Sequence, residues 1–566
     1  MRPGRRRELV QGNQTRRETI ELGIAPGPAR TSALVGVAFL LAALSVVAAI
    51  PHGMGISPDS TQYLSASSNL LAGSGLRVHW WNQGSVPLTH FPPGFPFALA
   101  GLRRFSLAPE SAALVVNLIA LGAITVLAFA LARRIAGGSV AAGIAAAFAV
   151  PLARDIQAVH AMVWSEALFI ALGLAALLAI IRSIETNAWS PVIIAAVLAA
   201  MATMTRYVGL TVIGAGALSL VVIGAAPLGR RVLRSAAFLL VSCLPLGLFL
   251  LRNMQVGSSA TNRDIAFHPP DPGHLRVAAR TVYAWFIPIS GPDWLEALLV
   301  LTVAVTLTVL VGTSRRTLRQ TKPLLGGRAR QAGTVLLIYS GMYAVFLVLS
   351  ITFADAQTTL NARLLSPLLP AALILLIAGL VTRMASVETR RPAVLASLAL
   401  GVSAVVSLAG WISEARRDGL GYNSVTWQGS RLVAAVTSLP QNAVIYSNEP
   451  DAIEYLLGRE VLGIPRQANP NSNLPQPDFP DRMRSVCEEA RFRTVVYAHF
   501  NDASDEWFLP SLSEVRRYWH SLPRLVVPEG VLDTVPRTCG VAAGQPSSAD
   551  RVPFDGSRSS ISRVTR

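Results

Sequence analysis

Uninterrupted apolar runs of about twenty residues recur along most of this chain, and they constrain its fold more than any other feature. They occupy residues 31–50, 111–132, 139–153, 163–181, 189–204, 208–225, 236–251, 294–312, 333–353, 364–382 and 394–412. A run of this length crosses a bilayer as a helix, whereas a soluble helix needs a polar face. The expected fold is therefore an all-α polytopic membrane protein with about 11 transmembrane helices, allowing one or two either way because several runs are short. The composition agrees: 52% of residues are hydrophobic and only 14% are charged, with a mean hydropathy of +0.47. A soluble domain carries about a quarter charged residues.

The net charge of +17 invites a nucleic-acid reading until the basic residues are placed on the chain. Many fall in an arginine-rich tail over residues 1–30, read as disordered and cytoplasmic. Others fall in the short inner connections: Arg133 and Arg134, Arg182, then Arg230, Arg231 and Arg234. Next come Arg315, Arg316, Arg319, Lys322, Arg328 and Arg330, and finally Arg383, Arg390 and Arg391. With the N-terminus inside, every short inner loop is basic, as orientation in a bilayer requires. The charge thus fixes sidedness and excludes nucleic acid as the partner. The run at 31–50 lacks a clear small-residue cleavage site after it and is read as a retained span.

An odd number of spans leaves the remainder outside. Residues 413–543 have ordinary soluble composition, with strand-like segments at 442–447 and 493–498 and helix-like segments between them. They predict a small α/β extracytoplasmic domain, followed by a disordered tail at 544–566. Cys487 and Cys539 lie in this region, so an oxidising compartment would allow one disulfide between them.

The membrane domain, 31–412, has three long or polar outer loops, at 52–110, 154–162 and 252–293. The first begins just after the first span and presents Asp59 and Tyr63 on a short interfacial helix. Capping also explains an acid here, because Asp59 with Gln62 three residues on matches a capping box. The loop continues through Trp80 and Trp81 to His90 and a Pro-Pro-Gly bend, for which interfacial anchoring by aromatic rings is the simpler reading. The second loop carries Asp155 and His160 and leads to Glu166 at the top of a span. Carboxylates on adjacent outer loops suit acid–base chemistry; the same set, Asp59, Asp155, His160 and Glu166, is also the candidate ligand set for a divalent metal ion. Arg206, Arg252 and Arg363 stand at outer ends of spans, where orientation does not account for them. They either snorkel to headgroups or form a pocket for a lipid phosphate.

The order Asp59-x-x-x-Tyr63, PPGFP, SEALF, TRYVGL, LRNMQVGS and ARLLSPLLP resembles the GT-C superfamily of membrane glycosyltransferases. The likeness is to the bacterial branch of protein O-mannosyltransferases and the lipid A aminoarabinose transferase, and it runs from the first span to about residue 382. It implies a bacterial plasma-membrane enzyme moving a hexose or pentose from a polyprenyl-phosphate donor to a hydroxyl of a glycan, protein or lipid on the outer face. It further implies that Asp59 is the general base of an inverting transfer, with Asp155 or Glu166 the second acid. Arg206, Arg252 and Arg363 would hold the donor phosphate, with His90 beside them, and Tyr63 and His160 would position the substrates. Two positions depart from the pattern. Ser60 follows Asp59 where many relatives have a second acid, and Phe91 stands where the aminoarabinose transferase has a lysine.

Two other classes share the span pattern. A transporter or lipid flippase would place its polar groups at mid-membrane and often shows inverted repeats, whereas here they sit on outer loops and no repeat is visible. A non-catalytic subunit of a cell-envelope glycan assembly complex would keep the fold without the chemistry.

Overall fold

The computed structural model describes residues 27–80, 84–257, 259–287, 327–385, 387–501 and 506–539. The run at 294–312, the tail at 544–566 and nearly all of the tail at 1–30 lie outside them.

The first span is α1 (Pro28–Ala49), followed by α2 (Pro58–Leu71) and a hairpin of β1 (Arg77–Trp80) and β2 (Gly84–Pro87). Then come α3 (Gly94–Arg103), α4 (Pro109–Ile135), α5 (Val140–Ala149), α6 (Arg154–His160), α7 (Glu166–Thr186) and α8 (Ser190–Thr205). After a 3-10 turn at Tyr207–Gly209 follow α9 (Leu210–Val222), α10 (Leu228–Val256), α11 (Pro272–Ala284) and α12 (Gly327–Phe353). The membrane part ends with α13 (Ala362–Leu365), α14 (Leu368–Met384) and α15 (Val387–Asp418).

Six of these helices (α1, α4, α7, α10, α12 and α15) are long and apolar enough to cross a membrane. The other described runs are shorter or broken. The run at 139–153 is α5, which bends by 56° into α6 across residues 150–153. The runs at 189–204, 208–225 and 364–382 fall on shorter apolar helices. The chain is thus an integral membrane protein with a mostly helical body. Packing within it relies on small residues: Ala120, Ala128, Ala195, Ala199 and Ala202 are buried, letting neighbouring backbones approach in an apolar medium.

Beyond α15 the chain forms α16 (Val425–Gln428), α17 (Arg431–Thr437), β3 (Val444–Ser447), α18 (Pro450–Leu457) and β4 (Leu462–Gly463). Then follow α19 (Phe479–Phe492), β5 (Val495–Phe500), α20 (Leu512–Trp519), β6 (Leu522–Val527) and β7 (Gly530–Val535). The strands make one mixed sheet in the order β4-β3-β5-β7-β6, with β3 parallel to β4 and β5 and the β6–β7 hairpin antiparallel. All six residues of β5 are buried, so both faces of the sheet are covered. One face packs on Met483, Cys487 and Trp519, the other on Leu432, Val436 and Ile453. Cys487 and Cys539 are joined by a disulfide.

The loops at the Asp59 end of the helical body are tied together by main-chain hydrogen bonds. The strand-like segment before α2 lies beside 161–163 on one side and 420–422 on the other, pairing Gly55 with Met162 and Ile56 with Gly421. Gly55 N–H donates to Ala161 C=O at 2.9 Å, Val163 N–H donates to Gly55 C=O at 2.9 Å, and Tyr422 N–H donates to Ile56 C=O at 2.9 Å. Gly421 has φ +56°, and a side chain there would run into the Ile56 carbonyl.

Candidate active site

This pairing of Gly55 with Met162 puts Asp59 and Glu166, each four residues further on, at the starts of two helices whose first turns Arg363 bridges. Asp59 lies in the first turn of α2. The helix is capped by Ser57, whose backbone N–H donates to Ser60 Oγ at 3.0 Å, so the capping box is Ser57–Ser60 and not Asp59–Gln62. Pro58 decides between the two: proline is accommodated at N1, which makes residue 57 the cap and frees the Asp59 carboxylate.

That carboxylate meets Arg363 in an ion pair through Oδ2. The same guanidinium donates through Nε to Glu166 Oε1 at 2.5 Å, and Arg206 Nη1 reaches that oxygen at 2.7 Å. Two carboxylates and two guanidiniums thus alternate in a chain from Asp59 to Arg206. Glu166 is only 1% exposed, and its Oε2 has no hydrogen-bond partner; Asp59, at 29%, is the open end of the chain.

The surroundings hold these groups in place. Arg363 lies over the Trp164 ring at 4.3 Å, and Trp164 Nε1 donates to Ser57 Oγ at 2.8 Å. Ser165 Oγ accepts from Arg206 Nη1 at 3.0 Å and shares a hydrogen bond with Tyr63 OH at 3.1 Å. The Tyr63 ring packs on Phe91 and Phe95 at 5.1 and 5.2 Å. Gly94 permits the Pro-Pro-Gly bend to approach the end of α8, since a Cβ there would lie 2.6 Å from the Met204 carbonyl, next to Arg206.

Burial pushes the Asp59 carboxyl up, but the charge and hydrogen bond of Arg363, with Arg206 and His90 behind them, outweigh it and hold it below its usual 3.8. Burial, with the nearby Arg263, pushes His90 down to about 3. His90 is therefore neutral at physiological pH and offers a hydrogen bond to an anion, not a charge. It sits among rings, 4.6 Å from Phe91 and 5.9 Å from Trp80.

The remaining candidates are used elsewhere. Arg252 donates to the Leu88 carbonyl at 2.7 Å and the Leu76 carbonyl at 3.1 Å, bracing the loop that carries the β1–β2 hairpin. Asp155 accepts from Trp285 Nε1 at 2.9 Å. His160 is fully buried, with Nδ1 2.6 Å from the Ile156 carbonyl. Among the described residues, no three His, Cys, Asp or Glu side chains converge as metal ligands. Arg363 lies between Asp59 and Glu166, where a shared cation would have to sit, so these carboxylates do not fit a metal ion in this arrangement.

Sequence reasoning gives no role to Ser57, Trp164, Ser165 or Asn117. Asn117 is a buried amide on the apolar helix α4, and it donates to the carbonyls of His160 and Met162 at 2.8 and 2.9 Å. An amide in such a helix was the available signal, because it has to find partners there.

No family model matches the chain, and no curated protein matches it. Solved structures do. ArnT from Cupriavidus metallidurans bound to undecaprenyl phosphate matches with a TM-score of 0.51 at 14% identity, over 92% of this chain and 100% of that one. ArnT from the same organism in the apo state matches with a TM-score of 0.53 at 13% identity, over 91% and 99%. Identity this low speaks for the fold, and the shared length covers the membrane body and the outer domain together. The architecture that the order of short motifs led one to expect is the one found: this chain has the fold of the GT-C membrane glycosyltransferases.

Proposed function

We propose that the protein transfers a sugar from a polyprenyl-phosphate donor to an acceptor hydroxyl on the outer side of the membrane, with inversion and with Asp59 as the general base. The observation that carries this reading is the alternating chain of Asp59, Arg363, Glu166 and Arg206 at the outer ends of the helices. Its open end is a carboxylate already ionised at neutral pH. Behind it stand guanidiniums suited to a phosphate leaving group.

In this mechanism the acceptor oxygen attacks the anomeric carbon as its proton passes to Asp59. The bond from that carbon to the phosphate oxygen breaks, and the polyprenyl phosphate leaves with the electron pair. Arg363 and Arg206 face the developing negative charge. A phosphate entering beside Arg363 competes with Asp59 for the guanidinium, which raises the basicity of Asp59 when the donor is in place. Glu166 keeps the two arginines oriented. Tyr63 acts through Ser165 on Arg206, while Arg252 and His160 support the loops. No step requires a metal ion.

The sidedness belongs to the same proposal: the N-terminus cytoplasmic and the outer domain extracytoplasmic. Its supports are the basic inner loops and the Cys487–Cys539 disulfide, a bond that persists in oxidising compartments.

The test is Asp59→Asn in purified protein reconstituted in lipid with polyprenyl-phosphate sugars as donors. Transfer should fall by about 10²–10⁴-fold, the range for a lost general base, while the protein stays folded and inserted with its thermal midpoint lowered only by the lost pair with Arg363. Near-normal transfer by this variant would remove Asp59 from the chemistry.

A further inference from the structure

Where the outer domain meets α2, a cavity of about 190 Å³ opens between the helix that carries Asp59 and helix α18. From α2 it is lined by Thr61 and Gln62, from the hairpin by His79, and from α18 by Asp451, Glu454 and Tyr455. Most of the polar lining is already satisfied. Thr61 Oγ1 donates to the Pro58 carbonyl at 2.7 Å and lies 3.3 Å from Asp451 Oδ1, and His79 Nε2 lies 3.7 Å from Glu454 Oε2. Tyr455 is fixed by its hydroxyl, which donates to Glu110 Oε1 at 2.6 Å and lies 3.1 Å from Asn423 Oδ1. Gln62 is different. It is 7% exposed and its Oε1 has no hydrogen-bond partner. A buried amide oxygen in a polar cavity without a donor is the mark of a group kept for one.

We propose that this cavity is a subsite for one neutral sugar unit of a glycan acceptor, whose hydroxyl donates to Gln62 Oε1. Three features select that class. The volume is below that of a drug-sized pocket and suits a single ring. The carboxylates of Asp451 and Glu454 repel phosphate and other anions and accept hydrogen bonds from hydroxyls. Tyr455, locked by its hydroxyl, presents a rigid aromatic ring against which the C–H face of a sugar packs. Gln62 stands at the edge of the cavity nearest Asp59, about one turn along α2, so a glycan seated here lies within a helical turn of the base. This rests on the transfer reaction proposed above for its purpose, but binding is measurable without turnover.

The probes are neutral di- to tetrasaccharides of mannose, galactose and arabinose, with a glucosamine oligosaccharide and a serine-containing peptide for comparison. Binding is followed by saturation-transfer NMR on the reconstituted full chain, wild type and Asp59→Asn. At least one neutral oligosaccharide should bind both proteins. Gln62→Leu, which removes the orphan acceptor at similar volume, should weaken it tenfold or more with an unchanged thermal midpoint. Leu64 also lines the cavity from α2, and Leu64→Trp, which fills it, should abolish binding. Binding that persists in both variants, binding only of the peptide or the amino sugar, or no binding by any neutral glycan would overturn the proposal. Glycan binding lost in Gln62→Leu but unaccompanied by sugar transfer in wild type would keep the subsite and discard the transferase.

Discussion

Glu166 begins α7 with one carboxylate oxygen shared by Arg206 and Arg363 and the other, Oε2, unpartnered in a buried setting. The positive end of α7 helps to hold its charge, but the two guanidiniums do most of it. Arg363→Gln therefore leaves Asp59 without its partner and Glu166 with Arg206 alone. Transfer is expected to drop at least 100-fold, and native stability by about 3 kcal/mol, toward the low end for a broken buried pair because Asp59 is part-exposed. Thermal unfolding and donor turnover of the reconstituted variant measure the two effects. The pH dependence follows from the sign of the Asp59 shift. Its folded pKa lies below 3.8, so the pair stabilises the protein above that pH and is lost as pH falls through the folded value. The acid limb of wild-type kcat/KM, which reports the free enzyme, should lie below pH 3.8 and move upward in Arg363→Gln. An acid limb identical in the two proteins would show that Asp59 does not set it.

The main elements were legible in the sequence, and their meeting points less so. Each described apolar run lies on a helix because a chain in lipid has to satisfy its own backbone. Asp59, Glu166, Arg206 and Arg363 were all visible as polar groups at outer ends of spans. Sequence reasoning left Arg252 equivalent to the other two arginines, because a guanidinium that binds a phosphate and one that binds carbonyls look the same in one dimension. Ser57–Ser60 and Asp59–Gln62 both fit the capping spacing, and only Pro58, which takes the first helical position, selects the former. The aromatic stretch read as an interfacial anchor includes β1 of a hairpin, whose pairing depends on a partner further along the chain. Asn117 shows how one element sets another: its amide on α4 fixes the segment from His160 to Met162, which leads into Glu166. Asn117→Leu should cost about 1–3 kcal/mol through the carbonyls it strands. Transfer should also slow by tenfold or more with little change in donor KM. A variant with full activity and lowered stability would confine Asn117 to a structural role.

At the scale of the whole molecule, the C-terminal domain meets the membrane body beside the helix that carries Asp59, and again where the Ala356 and Gln357 amides donate to the Asn471 and Pro470 carbonyls. Helix α18 packs against α2, and Glu110 at the start of α4 accepts from Tyr455 of the domain. The Cys487–Cys539 bond closes a separation of 52 residues, which corresponds to about 4 kcal/mol of chain entropy in the simplest treatment. A cysteine introduced at exposed Ser485 of α19 should react with an impermeant maleimide on intact cells, and Cys487→Ser with Cys539→Ser, which removes the buried bond, should lower the thermal midpoint of the domain. Labelling that requires lysis would place the domain on the inner side.

The stretch at Ile56, gripped by Met162's neighbours on one flank and Tyr422 on the other, works as a splice between two halves of the chain. A truncation after Asp418 would therefore unzip one flank of the strand that delivers Asp59, beyond deleting an appended module. An exchange of outer domains between proteins of this fold should place its junction beyond Asn423, so that Gly421, Tyr422 and the Asn423 amide on the Met54 carbonyl stay with the membrane part.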